Sequence, residues 1–437
     1  MVAELNICFC NFDIEVWRTD LLFKLVSQLD AKGHNCHYYN YKNNIMSLAQ
    51  KRNIPLTFHD EIKVTDEPHS FDEELINLAG SYSFGLNERK GNREKNNEKI
   101  RKNINKFIFS TDLLQGKNDF DLFVVWGGFR YKESSIISYA KSKGIKVVIF
   151  EYGYFRPYSL TFEKKGLNYD NSLPRTPEFY LDKYNELNVD ELSINDLVLP
   201  KSARFNAIDP DLERDFPRRK RALSLTNALK FKNIVHKKLK TLSSKTIDLN
   251  QRYIFVPFQV ETDSQIIQFS QKIKSMKNLV ALVSEAVEDY NKTFDDNIKV
   301  IFKPHPVDKS VNVDYIERNM SCYKSSLISF NEDTQDLIKN SELVITINST
   351  VGIEALINGK NVITLGDAFY NIDGLVKPCK DYDNLHLVIK ETLLEKHNSE
   401  LVFKYLKYLK EEYFSEIYYE GADPQSISDL CNRLEQV

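Results

Sequence analysis

The apolar run at 147–150, VVIF, leads straight into Glu151, Tyr152 and Gly153, setting a carboxylate and a turn glycine directly behind a buried strand. In open α/β sheets, ligands sit outside the carboxyl ends of the strands. Glu151, Gly153, Tyr154, Arg156 and Glu163 therefore form a candidate site. A solvated loop whose Glu and Arg pair with each other is the competing reading.

A second group has the composition of a phosphate site. The run at 299–303 ends in Pro304-His305-Pro306, and the two prolines fix the backbone on either side of one imidazole. A histidine held there can donate to a phosphate and stabilise a leaving group. Further along, Asn348-Ser349-Thr350 stands between an apolar run at 343–347 and a helix-like stretch at 351–358. Hydroxyls and free N–H groups at a helix N-terminus bind phosphate, and the same residues can cap the helix. Glu354, one turn on, is placed to accept from ribose hydroxyls, against the alternative of a surface carboxylate. The opening of the chain has no GxGxxG and the whole chain no GxxxxGK[ST], which suggests a nucleotide held without a P-loop. No DxD pair lies between apolar strands, and no metal site is expected.

The elements that must position these residues read as α/β. Strands at 5–10 and 36–41 flank a helix at 20–29, a βαβ opening that continues through a strand at 121–126, the Gly127-Gly128 turn and a helix at 133–143. A second α/β unit starts at 253–256 and proceeds through a helix near 265–274 and strands at 299–303, 343–347 and 362–365. Two Rossmann-like domains facing a cleft are expected: an acceptor-side domain at 1–200, a basic connection at 201–250, a nucleotide-sugar domain at 251–398, and a helical segment at 399–437 whose aromatics pack. The polar stretch at 87–106 reads as a surface loop or exposed helix.

Length is that of two or three domains, and 42% hydrophobic with 28% charged residues describes a soluble globular chain. A formal charge of −3 gives no reason to expect nucleic acid as a partner. Six scattered cysteines without paired CxxC units fit a reducing, cytoplasmic compartment, with Cys8 and Cys10 sharing one face of a strand. No leader and no apolar run near the ~18 residues of a membrane span is evident, so membrane contact is expected to be peripheral. The stretch at 214–245 carries eleven Lys or Arg against Asp215 alone, which suits an anionic surface.

FEYGYFRPYSLTFEKKGLN at 150–168, VPFQVETDSQI at 256–266, KPHP at 303–306 and INSTVGIEAL at 347–356 together resemble the bacterial capsular polysaccharide synthesis proteins that act as retaining β-Kdo transferases. The Tyr-x-Arg-Pro ending after Glu-x-Gly is similar to the single-module branch that starts a lipid-linked Kdo oligosaccharide. The resemblance implies a GT-B architecture, CMP-β-Kdo as donor with no further cofactor, and a phosphatidylglycerol-type lipid, or a short Kdo chain on it, as acceptor. It implies work at the cytoplasmic face of the inner membrane beside other capsule assembly and export proteins. By this carry-over Lys303, His305, Pro306, Asn348, Ser349, Thr350 and Glu354 hold the nucleotide, and Glu151 faces the anomeric carbon. Asp263 is the reserve carboxylate, and Gln259 and Gln265 orient sugar hydroxyls or acceptor. Tyr152 stands where the polymerising branch has Asp, which leaves the nucleophile open between Glu151 and Asp263. A GT-B-like sugar-nucleotide epimerase or hydrolase and a non-catalytic assembly scaffold are the alternatives.

Overall fold

The computed structural model describes residues 3–12, 15–39, 43–62, 71–89, 94–187, 208–216, 247–306, 320 and 322–437. Most of the basic stretch expected to connect the domains, 217–246, lies outside the described residues. The chain divides into two units, Met1–Ser172 with Asp196–Pro217 and Lys407–Val437, and Leu173–Asn195 with Arg218–Leu406. These differ from the contiguous blocks expected from sequence, and local packing shows why. The helix Pro177–Lys183 belongs to the second unit: Tyr180 is fully buried with its ring 5.2 Å from Tyr405, and Lys404 Nζ donates to the Leu181 carbonyl. The strand Phe414–Glu416 belongs to the first, where it completes a sheet. The expected helical tail is therefore a helix at Ser399–Tyr408, a π turn, this strand and a second helix at Pro424–Glu435.

The first unit is built on β1 (Asn6–Cys10), β2 (Asn35–Tyr39), β3 (Thr57–His59), β4 (Leu122–Trp126), β5 (Lys146–Tyr152) and β6 (Ser159–Glu163). Their order is Phe414–Glu416, β6, β5, β4, β1, β2, β3. β1 to β5 are parallel, while β6 returns antiparallel to β5. Helices α1 (Val16–Ala31), α2 (Asn43–Lys51), α3 (Glu73–Arg89), α4 (Glu94–Asn118) and α5 (Tyr131–Ser142) make the crossovers. Period-2 alternation sorts β1: Ile7 and Phe9 pack with Leu22 and Leu25 of α1, while Cys8 and Cys10 pack with Phe107, Phe123 and Ile136. The polar stretch at 87–106 is largely helical, with Ile104 buried.

The second unit holds β7 (Tyr253–Pro257), β8 (Lys299–Lys303), β9 (Ser326–Ile328), β10 (Leu343–Thr346), β11 (Asn361–Thr364) and β12 (Lys377–Pro378). All six are parallel in the order β12, β11, β10, β7, β8, β9, which is the Rossmann arrangement. The helix expected near 265–274 is a short one, Ser264–Phe269, followed by a 19-residue helix, Met276–Phe294. Two caps set the starts: Asp263 accepts from Gln265 N and Ser275 from Asn278 N. The strand order reverses between β1 and β4 in one sheet and between β7 and β10 in the other. Those switch points are where an open α/β sheet leaves room for a ligand.

Candidate active site

In the first unit, β5 extends two residues past its apolar run, so Glu151 and Tyr152 are still in the strand, opposite Thr161 and Leu160. Glu151 is half-buried, with Oε1 accepting from Tyr152 N at 2.9 Å. Its neighbour is the turn after β4. Gly127 has φ +76, and its N–H donates to the Phe150 carbonyl at 2.8 Å. A Cβ at Gly127 would lie 3.8 Å from Glu151 Oε2 and 3.8 Å from Glu133 Oε2. The two carboxylates thus stand around one backbone position, no farther apart than twice that distance.

Glu133 was not singled out in the sequence. It is the N3 residue of α5, buried, and accepts from Arg130 N at 2.9 Å in a capping box. Burial pushes its carboxyl up to about 7 and the Glu151 charge adds to this, while the Arg130 N–H and the Arg130 and Arg18 charges pull it down. The sign follows from proton binding. The folded state holds the proton more tightly than the unfolded chain, so this contribution to stability is complete below the ordinary carboxyl range and is lost as pH rises towards 7. Glu133→Gln keeps the capping geometry and removes the charge. Its stability relative to the parent is expected to rise between pH 5 and pH 8, by up to about 3 kcal/mol in urea titrations. A difference that does not change with pH would contradict the assignment.

Around this pair stands an aromatic cluster. The Arg18 guanidinium carbon is 4.2 Å from the Trp126 ring centre and 4.8 Å from that of Tyr152. Trp17 stacks on Tyr419 at 4.5 Å, and Glu15 Oε2 accepts from both Trp17 Nε1 and the Tyr152 hydroxyl. Arg156 is exposed and lies over Tyr152 at 5.1 Å, and Tyr154 meets Phe414 edge-on at 5.2 Å.

Two residues of the expected sugar or acceptor side have another task. Glu163 is fully buried and accepts from Lys164 N, Lys165 N, Ser172 N, Ser172 Oγ and the Tyr413 hydroxyl at 2.8–3.0 Å, which commits the carboxylate to the fold. Gly153 serves the β5–β6 return: a Cβ there would meet the Ser159 carbonyl oxygen at 2.6 Å.

In the second unit the residues after β7 and β10 clasp each other across the switch point. Gln259 Nε2 donates to Asn348 Oδ1 at 2.9 Å, Asn348 N donates to Gln259 Oε1 at 3.1 Å, and Asn348 Nδ2 donates to the Gln265 carbonyl at 2.9 Å. Asn348 is 0% exposed and Gln259 7%. Both were expected to contact ligand, and both instead hold the turn that presents Ser349 and Thr350. Gln265 contributes through its backbone carbonyl. Ser349 Oγ accepts from Val351 N at 3.2 Å, the half-buried Thr350 hydroxyl makes no cap bond, and the Tyr370 hydroxyl donates to the Ser349 carbonyl. Replacing Asn348 by Ala strands Gln259 Nε2 and the Gln265 carbonyl, at about 1–3 kcal/mol per buried group left unsatisfied. Chemical denaturation of Asn348→Ala is expected to show that loss. Unchanged stability would mean that the clasp is dispensable.

His305 is half-buried two residues beyond the end of β8, with Pro306 exposed behind it. Lys303 Nζ donates to the Glu332 carbonyl, and burial pulls its pKa down against the charges of Glu332 and Asp333. Asp263 is exposed and spends one oxygen on the cap of Ser264–Phe269, an arrangement that suits a helix start better than a nucleophile. Glu354 accepts from Gln335 Nε2 at 2.6 Å, and burial raises its pKa. No cluster of three or more metal-ligating side chains occurs among the described residues, and no helix among them is long and apolar enough to cross a membrane.

A family model described as capsule polysaccharide biosynthesis protein matches residues 121–412. Protein FixF of Sinorhizobium fredii (strain NBRC 101917 / NGR234) is 31% identical over 268 residues, covering 61% of this chain and 54% of its own length. Capsule polysaccharide export protein KpsS of Escherichia coli is 27% identical over 280 residues, covering 60% of this chain and 71% of its own. The match thus spans about half the length of FixF. Among solved structures, Thermosulfurimonas dismutans KpsC, beta Kdo 2,7 transferase, aligns over 92% of this chain and 100% of that chain at 17% identity with a TM-score of 0.42, a likeness too slight to carry fold or activity across.

Proposed function

We propose, because the chain belongs to the capsule polysaccharide biosynthesis protein family, that it is a GT-B-type glycosyltransferase moving Kdo from CMP-β-Kdo to a phosphatidylglycerol-type lipid, or to a short Kdo chain on that lipid, with retention. The observation that carries the reading is Glu151 at the carboxyl edge of a parallel sheet, its carboxylate beside Gly127 and Glu133. Retention from a β donor requires two inversions or an internal return, and a carboxylate nucleophile is the direct route to two inversions. Glu151 attacks the anomeric carbon and CMP leaves with the bonding pair. The acceptor hydroxyl oxygen then bonds to the anomeric carbon as the ester bond to Glu151 breaks, the carboxylate leaves with the bonding pair, and the hydroxyl proton passes to solvent. Glu133, close by and protonated over much of the range below pH 7, keeps the pair from carrying two full negative charges.

The Ser349-Thr350 turn and His305 form the nucleotide side, with the clasp of Gln259 and Asn348 holding the turn in place. The enzyme works at the cytoplasmic face of the inner membrane, alongside other capsule assembly and export proteins, and its basic stretch at 214–245 meets the anionic surface. Incubation with CMP-Kdo and a fluorescent lysophosphatidylglycerol, followed by mass spectrometry, tests the reading. A Kdo-lipid is expected. Free Kdo plus CMP would mean a hydrolase, and no turnover a scaffold. Repeating the assay with acceptor in anionic vesicles, pelleted before the donor is added, reads whether the protein travels with the lipid.

A further inference from the structure

We infer that Arg18, Trp126 and the first turn of α1 form a receptor for a small oxyanion, a carboxylate or a phosphate, carried by the molecule that the first unit binds. The inference rests on the acceptor-side reading of that unit.

Two buried donors stand side by side with nothing to donate to. Arg18 is 6% exposed and Trp126 2%, and neither Arg18 Nε nor Trp126 Nε1 has a hydrogen-bond partner. Glu15 Oε2 lies 3.9 Å from Arg18 Nε and already accepts from Trp17 Nε1 and the Tyr152 hydroxyl. An unmet donor in a desolvated setting costs stability, and two in contact are poorly explained by packing alone.

The surroundings favour an anion. The guanidinium lies against Trp126 and Tyr152, whose rings exclude water and so strengthen its field. α1 is 16 residues long, has no acidic residue in its first turn, and its N-cap residue Glu15 makes no side-chain cap bond, so its amino-terminal N–H groups add to the positive end. The place is also right, since α1 follows β1 and Trp126 ends β4, the two strands between which the sheet order reverses. Trp17, stacked on Tyr419, supplies a flat wall for a sugar ring.

The chain contains two tryptophans, Trp17 and Trp126, so its tryptophan fluorescence, excited apart from the tyrosines, reports on this place. The full chain is titrated, with no donor present, with free Kdo, with the methyl ester of Kdo and with glycerol phosphate. A saturable change with Kdo and none with its ester identifies a sugar carboxylate. A response to glycerol phosphate without one to Kdo identifies a lipid headgroup phosphate. Either supports the site. Arg18→Met is expected to raise the Kd about tenfold or more, and Trp126→Phe, which keeps a ring, loses the N–H and leaves Trp17 as reporter, is expected to raise it less. If Arg18→Met does not fold, Arg18→Lys and Trp126→Phe decide. Affinity unchanged in both, or no saturable response to any of the anions, overturns the site. Anion binding without any Kdo-lipid in the product assay would reject the transferase and keep the receptor, whereas turnover without anion binding would do the reverse.

Discussion

Glu151→Gln is expected to abolish transfer, by about 10⁴-fold or more in kcat, while CMP binding is retained. The amide keeps the side chain's shape and can still accept from Tyr152 N, so the half-buried position is not emptied and the fold is undisturbed. It cannot form a glycosyl ester, and in the proposed mechanism that removes the only route to two inversions. The residues proposed to hold CMP belong to the second unit, which contains none of the residues around Glu151. Parallel measurement of kcat and of CMP affinity by calorimetry checks both halves. Substantial turnover in Glu151→Gln would move the nucleophile elsewhere, with Asp263 the next carboxylate to test.

His305→Ala is expected to lower kcat about 10²–10³-fold, roughly 2.7–4 kcal/mol in the barrier, with a smaller change in KM. The expectation comes from its position. His305 follows β8 at the carboxyl edge of a Rossmann-ordered sheet, and prolines on both sides limit how far its backbone can move away from a phosphate. A donor aimed at the departing CMP phosphate acts mainly in the transition state, which is why the loss falls on kcat. Steady-state kinetics on the folded variant read it, and near-parental kcat would remove His305 from the chemistry.

The strands that position the site were legible because central parallel strands are buried on both faces. VVIF, YIFVP, KVIFK and LVIT therefore read as unbroken apolar runs. The antiparallel return was not legible. β6 is SLTFE, whose period-2 alternation marks a strand but names neither its partner nor its direction, and its outer partner Phe414–Glu416 comes from the far end of the chain. The placement of Glu151 at a strand end could be read locally, but the committed role of Glu163 could not, since one of its five donors is the hydroxyl of Tyr413, 250 residues away. Gln259 and Asn348 were picked out as polar residues in the right loops. Their mutual clasp, across 89 residues, is a tertiary fact that turns both from candidate contacts into supports. Arg18 and Glu133 were missed for a similar reason. Each sits in an ordinary amphipathic helix start, and only the convergence of β1, β4 and β5 brings them to Trp126 and Glu151. For Glu133 a signal was available, because a carboxylate a few residues after a glycine turn at a strand end belongs to the same edge.

The most direct test of the central claim, that Glu151 carries the sugar between donor and acceptor, is peptide mapping by mass spectrometry after incubation with CMP-Kdo in the absence of acceptor. The predicted result is one Kdo added to the peptide containing Glu151 and lost on addition of acceptor. An adduct on Asp263, or acceptor-dependent product formed with no protein-bound sugar at any time, would contradict it.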